Sequence, residues 1–193
     1  MVGMATRDRL LDAARELFWR RGYHATSPRA VLQTSGAGQG SLYHFFPTKA
    51  DLGRAAIAAT VEEALELARA DLRGDELPVM ARVERYLRRP RPALMGCPVG
   101  RLAGDPDVRE DARLHEPVAA YFAELSTLLT DALVEAKARG ELAPAANPAQ
   151  IADVLIGIIQ GAYVLAQGAA DAGRYDSAIA GGLALLDAVT IRS

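Results

Sequence analysis

The chain has a single cysteine, Cys97, in 193 residues. A lone thiol closes no intramolecular disulfide and offers no thiolate cluster to a metal. The three histidines, His24, His44 and His115, are scattered and form no His-x-x-x-His pair. No paired carboxylates, metal constellation or activated nucleophile stands out, so neither a cofactor nor an enzymatic activity is expected. Lysine is nearly absent: Lys49 and Lys137 stand against twenty arginines. With much Ala, Gly and Pro, this reflects a GC-rich bacterial coding sequence and carries no function. β-alternation of useful length is missing, as are repeats and low-complexity tracts. There is no secretory segment at the N-terminus. The longest apolar stretch, Ile151 to Ala170, is interrupted by Asp153, Gln160 and Gln167 and reads as a buried helix. A cytoplasmic protein with no membrane partner is expected.

What is present is ordinary in amount and uneven in placement. Half of the residues are hydrophobic, 24% are charged, and the net charge is −2. Residues 1–54 carry eight basic and four acidic residues, a balance of +4, whereas the rest carries 14 basic and 20 acidic, a balance of −6. A basic head on an acidic body is an asymmetry that sets the head apart; the plainer alternative is a chance excess of surface arginines.

Helical signals run throughout. Thr6 reads as an N-cap, followed by Leu10, Leu11, Ala14, Leu17 and Phe18 at helical spacing, with a stop at Gly22. Ser27-Pro28 reads as a serine cap with proline at the first helical position, opening a short helix to Gly36. Another short helix is expected from Gln39 to Phe46, stopped by Pro47, and Thr48 then caps a long helix from Lys49 to Arg73. Further helices are expected over 77–89, 94–104, 147–168 and 175–191. A stretch capped by Asp105 runs to Ala138 with a kink or restart at Pro117.

The segment Gly36-Ala37-Gly38-Gln39-Gly40-Ser41-Leu42-Tyr43-His44-Phe45-Phe46-Pro47-Thr48-Lys49 concentrates glycines and rings. The glycines make a sharp turn and let a helix N-terminus approach a partner closely. Leu42, Phe45 and Phe46 recur at three- and four-residue spacing and face inward. Gln39, Gly40, Ser41, Tyr43 and His44 face outward. This is a helix-turn-helix arrangement. A helix N-terminus favours phosphate, and Gln39 has the paired donor and acceptor that read adenine in the major groove. Ser41, Tyr43 and His44 supply contacts to bases or phosphates, and Lys49 and Arg29 add charge. The plainer alternative is that Tyr43 and His44 only cover the small domain's own core.

From Leu10 to Ala55 the chain resembles the DNA-binding domain of the TetR family of bacterial transcriptional repressors. Ala14, Leu17, Phe18, Gly22, Tyr23, Thr26, Ser27, Gly36, Gly40, Leu42, Tyr43, Phe46, Lys49 and Leu52 carry the likeness. Departures are Gly38 and Gln39, where the family has a Ser/Thr cap and a basic residue, and Ala30-Val31-Leu32 in place of Asp-Ile-Ala. The segment Gly96 to Ala103, with Gly140-Glu141-Leu142 and Gln160-Gly161-Ala162, is similar to an LmrA/YxaF-like TetR C-terminal domain. The resemblance implies an all-α chain: an N-terminal three-helix helix-turn-helix domain, 1–54, followed by a larger helical effector-binding and dimerisation domain, 55–193. It implies a homodimer formed through the last two helices, an operator of double-stranded DNA, and a small-molecule effector.

An effector pocket among helices 77–170 has Met80, Tyr86, Met95, Cys97, Tyr121, Phe122, Gln160 and Tyr163 as candidate walls; ordinary core packing is the alternative for each. Cys97 reads as a packed small hydrophobe, with a redox sensor as the alternative. A Cys97–His115 catalytic pair would require the fold to bring the two together. Gly157 and Gly161 lie four apart and would let a neighbouring helix approach, as would Gly181 and Gly182. The expected function is a ligand-released repressor acting on a near-palindromic operator. The alternatives are a redox-switched regulator and a small-molecule-binding enzyme or carrier with a relic helix-turn-helix.

Overall fold

The structure is a computed structural model that describes residues 2–74 and 76–191, with side chains from Thr6 onward. It is all-α: α1 (Val2–Arg21), α2 (Pro28–Ser35), α3 (Gln39–Phe45), α4 (Lys49–Leu72), α5 (Val79–Arg88), α6 (Pro98–Ala103), α7 (Pro106–Glu110), α8 (Ala112–Ala138), α9 (Pro148–Ala169) and α10 (Gly173–Asp187). A 3₁₀ turn, Ala93–Met95, lies between α5 and α6. Among the described residues the only β pairing recorded is an isolated antiparallel bridge, Leu142 with Thr190.

Local chemistry accounts for most helix ends. Ser27 accepts the Ala30 amide and Pro28 opens α2, while Gly36 closes it in the left-handed region at φ 65°. Thr48 and Asp51 cap α4 reciprocally: the Thr48 amide donates to Asp51 Oδ2 (3.0 Å) and the Asp51 amide to Thr48 Oγ1 (3.1 Å). Asn147 accepts the Ala149 and Gln150 amides at the start of α9.

Four expectations need correction. α1 begins at Val2, so Thr6 lies within the helix, where its hydroxyl accepts from Arg9 (3.3 Å) rather than capping. The helix expected over 94–104 is broken at Gly96 (φ 80°), and α6 restarts with Cys97 as its cap. The stretch to Ala138 breaks at Asp111, whose carboxylate accepts the Arg113 amide, and not at Pro117, which stands inside α8. Gly157 and Gly161 face open space; the close approach is at Gly182, where an added Cβ would lie 3.0 Å from Ile158.

The chain packs as two compact units. The first comprises residues 1–63 and 97–121, and the second 64–96 and 122–193. In the first, α1 packs on α2, α3 and α6 around Leu10, Ala14, Phe18, Val31, Leu42, Ile57, Val99 and Leu114, all 3% exposed or less. In the second, α10 packs on α9 and α5 around Val83, Leu129, Leu155, Ile159 and Ala166. Each fully buried aliphatic or aromatic side chain contributes roughly 1.5–3 kcal/mol. α9 is not the wholly buried helix expected: Ala152, Leu155, Ile159, Ala162 and Ala166 are buried, while Val154, Val164 and Leu165 are exposed.

Candidate nucleic-acid interface

The turn between α2 and α3 is built so that α3 can be approached. Gly36 closes α2 through its amide on the Leu32 carbonyl (3.0 Å), and the Ala37 amide donates to Ser35 Oγ (3.2 Å). Gly38 takes the cap position of α3 and offers no side chain to its first-turn amides. Apart from the adjoining chain and helix backbone, no heavy atom lies within 4 Å of a Cβ built on Gly36, Gly38 or Gly40. The N-terminal end of α3 is therefore open and carries the positive end of the helix dipole.

Leu42 and Phe46 anchor α3 in the core, at 2% and 4% exposure. Gln39, Gly40, Tyr43 and His44 are exposed and Ser41 is half-buried. Phe45 is half-buried rather than inward; its ring meets His44 edge-on at 5.0 Å. Arg29 is exposed on α2. Lys49 is more engaged than its sequence position suggests. Its ammonium donates to the His24 carbonyl (3.3 Å), sits 4.3 Å from the centre of the Tyr23 ring, and lies 4.0 Å from Asp107. Tyr23 is packed edge-on against Phe18 and so close to Gly53 that a Cβ there would lie 2.5 Å from its ring. Burial first, then the carboxylates of Asp107, Asp111 and Asp105, push the Tyr23 phenol up to about 12.

The candidate effector residues divide between the units. Cys97 and Tyr121 are buried in the first. Met80, Tyr86 and Tyr163 are buried, and Met95, Phe122 and Gln160 half-buried, in the second. Cys97 Sγ accepts the Gly100 amide (3.2 Å) as the cap of α6, while His115 is exposed. Sequence reasoning missed Arg91 and Tyr175. Arg91 donates to the Tyr86 carbonyl (2.8 Å) and the Tyr175 hydroxyl (3.3 Å), and the Tyr163 and Tyr175 rings lie 4.9 Å apart. Arg91 stands between two prolines, which reads only as a chain break. Among the described residues no three His, Cys, Asp or Glu side chains cluster as a metal site.

Residues 10–56 match the family described as bacterial regulatory proteins, tetR family, and residues 77–181 match the tetracyclin repressor-like C-terminal domain. The second match alone spans more than half of the chain. The chain belongs to the TetR family. Its members are transcriptional regulators that carry a DNA-binding helix-turn-helix and are not enzymes. The HTH-type transcriptional regulator YxaF of Bacillus subtilis is 32% identical over 120 residues, covering 58% of this chain and 60% of that protein. The HTH-type transcriptional repressor ComR of Escherichia coli is 28% identical over 173 residues, covering 83% of this chain and 79% of its own. The solved structure of a TetR transcriptional regulator from Chloroflexus aurantiacus superposes with a TM-score of 0.83 at 26% identity, covering 97% of each chain. α3, the helix that follows the turn, lies within the matched residues 10–56 of a DNA-binding family.

Proposed function

We propose that this TetR-family regulator is a ligand-released repressor that binds a near-palindromic operator as a homodimer in the bacterial cytoplasm. Residues 1–54 would read DNA, and residues 55–193 would bind the effector and dimerise. The observation that carries the reading is α3: Leu42 holds it in the core while Gln39, Tyr43 and His44 stand exposed beside an uncapped N-terminus. In this reading Gln39 reads a base edge, and Ser41, Tyr43, His44 and Arg29 contact backbone or bases. Lys49 adds its charge from a tethered position. Repression is also the role named for ComR.

The dimer face would be α9 with α10. Val154, Val164, Leu165 and Leu185 are 47–67% exposed there. Gln150, Ile151, Val154, Ile158, Gly182 and Leu185 line an apolar groove of about 220 Å³. Membrane insertion is the other use for a helix of this length and hydropathy; α9, however, commits one face to α10, which suits a second copy better. The effector would be a small apolar or aromatic molecule held by the body. A differential affinity of about 1.4 kcal/mol for the two states lowers operator affinity tenfold, and linkage requires DNA to weaken the effector equally.

The test is fluorescence anisotropy with DNA from the region upstream of the protein's own coding sequence. Saturable binding that survives excess random DNA supports the reading; equal affinity for both overturns it. One observation favours a second trigger, oxidation: Cys97 Sγ caps α6, so an oxidised sulfur would disturb that bond. Release by peroxide that is abolished in Cys97→Ser would establish that trigger, whereas the ligand reading expects Cys97→Ser to respond normally.

A further inference from the structure

His24 lies in the turn between α1 and α2, and its ring is 64% exposed, yet its amide, carbonyl and Nδ1 each have a partner. Its amide donates to Asp105 Oδ2 at 2.9 Å. Its carbonyl accepts from the Lys49 ammonium, and its Nδ1 lies 2.8 Å from Asp107 Oδ1. The rest of the turn closes on itself: the Gly22 amide reaches the Phe18 carbonyl (2.8 Å), the Thr26 amide the Tyr23 carbonyl (3.1 Å), and the Thr26 hydroxyl the Gly22 carbonyl (2.7 Å). Among the described residues, the hydrogen bonds from this turn to residues outside the head go to one short corner, Asp105 and Asp107 at the start of α7.

Asp105 is the stronger member of the pair. It is only 7% exposed, whereas the Asp107 side chain is 40% exposed. An exposed contact such as His24–Asp107 contributes little. A buried carboxylate bonded to a backbone amide contributes more, and its loss leaves that amide unsatisfied. Asp105 also caps α7, but its bond to the Val108 amide is 3.4 Å long, against 2.9 Å to His24. The site is shaped around the carboxylate: a Cβ on Gly22, which sits at φ 86°, would lie 2.9 Å from Asp105 Oδ2. Sequence reading sees only a helix cap here, because the partners are 81 residues apart.

We propose that Asp105 is a positioning residue for operator binding. Its carboxylate holds the α1–α2 turn, and so sets how α2 and α3 sit on α1 and on the start of α4. Asp105 falls within the C-terminal family match, residues 77–181, yet it packs in the unit that contains the helix-turn-helix. The role rests on the DNA-binding reading above. A tilted recognition helix still meets phosphates but misses base edges, so the signature is a loss of operator binding with random-DNA binding kept.

The experiment compares wild type, Asp105→Ala and Asp105→Asn in operator binding, random-DNA binding and amide exchange at His24. Asp105→Ala should lose about tenfold in operator affinity and under about twofold on random DNA, with His24 exchange at least about tenfold faster. Asp105→Asn keeps an acceptor oxygen and should recover most of the operator binding. Should Asp105→Ala fail to fold, Asp105→Ser, whose shorter side chain does not reach the His24 amide, takes its place under the same expectation. Unchanged operator affinity in the variant that lacks the acceptor, or equal losses on operator and random DNA in that folded variant, overturns the role. Wild-type protein that binds no upstream DNA would overturn the DNA-binding reading and this role together; wild-type binding that neither variant alters overturns this role alone.

Discussion

α3 and α9 each leave one face open, and the two faces are made of different material. The open face of α3 carries an amide, hydroxyls and an imidazole on Gln39, Ser41, Tyr43 and His44. The open face of α9 carries Val154, Val164 and Leu165. Groups of the first kind exchange hydrogen bonds with water for equivalent bonds to a polar partner, so they specify more than they bind. Aliphatic groups gain by leaving water whatever the partner's sequence, so they bind more than they specify. Exposure alone would rank the two faces alike; chemistry separates them, and in the proposed function the first would meet DNA and the second another copy of the chain.

The comparison breaks most visibly at α10. Leu185→Glu places a charge on the aliphatic face without touching the monomer's core, since Leu185 is 66% exposed. The expected result is a folded monomer by light scattering, with operator affinity reduced at least about a hundredfold because two half-sites no longer act together. At α3 the expected effects are smaller and depend on sequence. Gln39→Ala should cost about 1–3 kcal/mol on the best operator and little on random DNA, with preference relaxed at one base position per half-site. A selection of binding sites with the variant checks this. Lys49→Ala should weaken operator and random DNA alike by a few-fold and lower the salt slope by at most about one per half-site, because the ammonium is shared with the His24 carbonyl.

The smallest effect is on stability. The Tyr23 phenol is raised in the folded protein to about 12, against about 10 in an unfolded chain. The neutral form is therefore favoured by folding. Its contribution is complete below about pH 10 and is lost as pH rises toward 12. Denaturant unfolding of wild type and Tyr23→Phe across that range should show a steeper decline in wild type.

What the sequence disclosed follows the range of the interactions involved. α2 and α3 were legible because their signals are adjacent: Ser27 with Pro28, Gly36 at the turn, Pro47 after Phe46. The breaks at Gly96 and Asp111 were missed because Cys97 and Asp111 are unremarkable caps on paper. Pro117 was overread: its missing amide costs α8 a bond to the Arg113 carbonyl without ending the helix. The outward face of α3 could be drawn from helical spacing, but Phe45 fell between the two faces. Tethering of Lys49 and the Asp105–His24 bond connect residues 25 and 81 positions apart, and no local pattern encodes them. The spacing of Gly157 and Gly161 suggests a close neighbour, but the chain itself supplies none there; its close approach is at Gly182.

The central claim is that two outward-facing α3 helices, paired through α9 and α10, read one operator. Its most direct test is the stoichiometry and symmetry of the best binding site, from selection on the upstream region followed by analytical ultracentrifugation of the complex. The account predicts an even number of chains on an inverted repeat, with half-site centres about one helical turn apart or somewhat more. One chain on a site without an inverted repeat would contradict it.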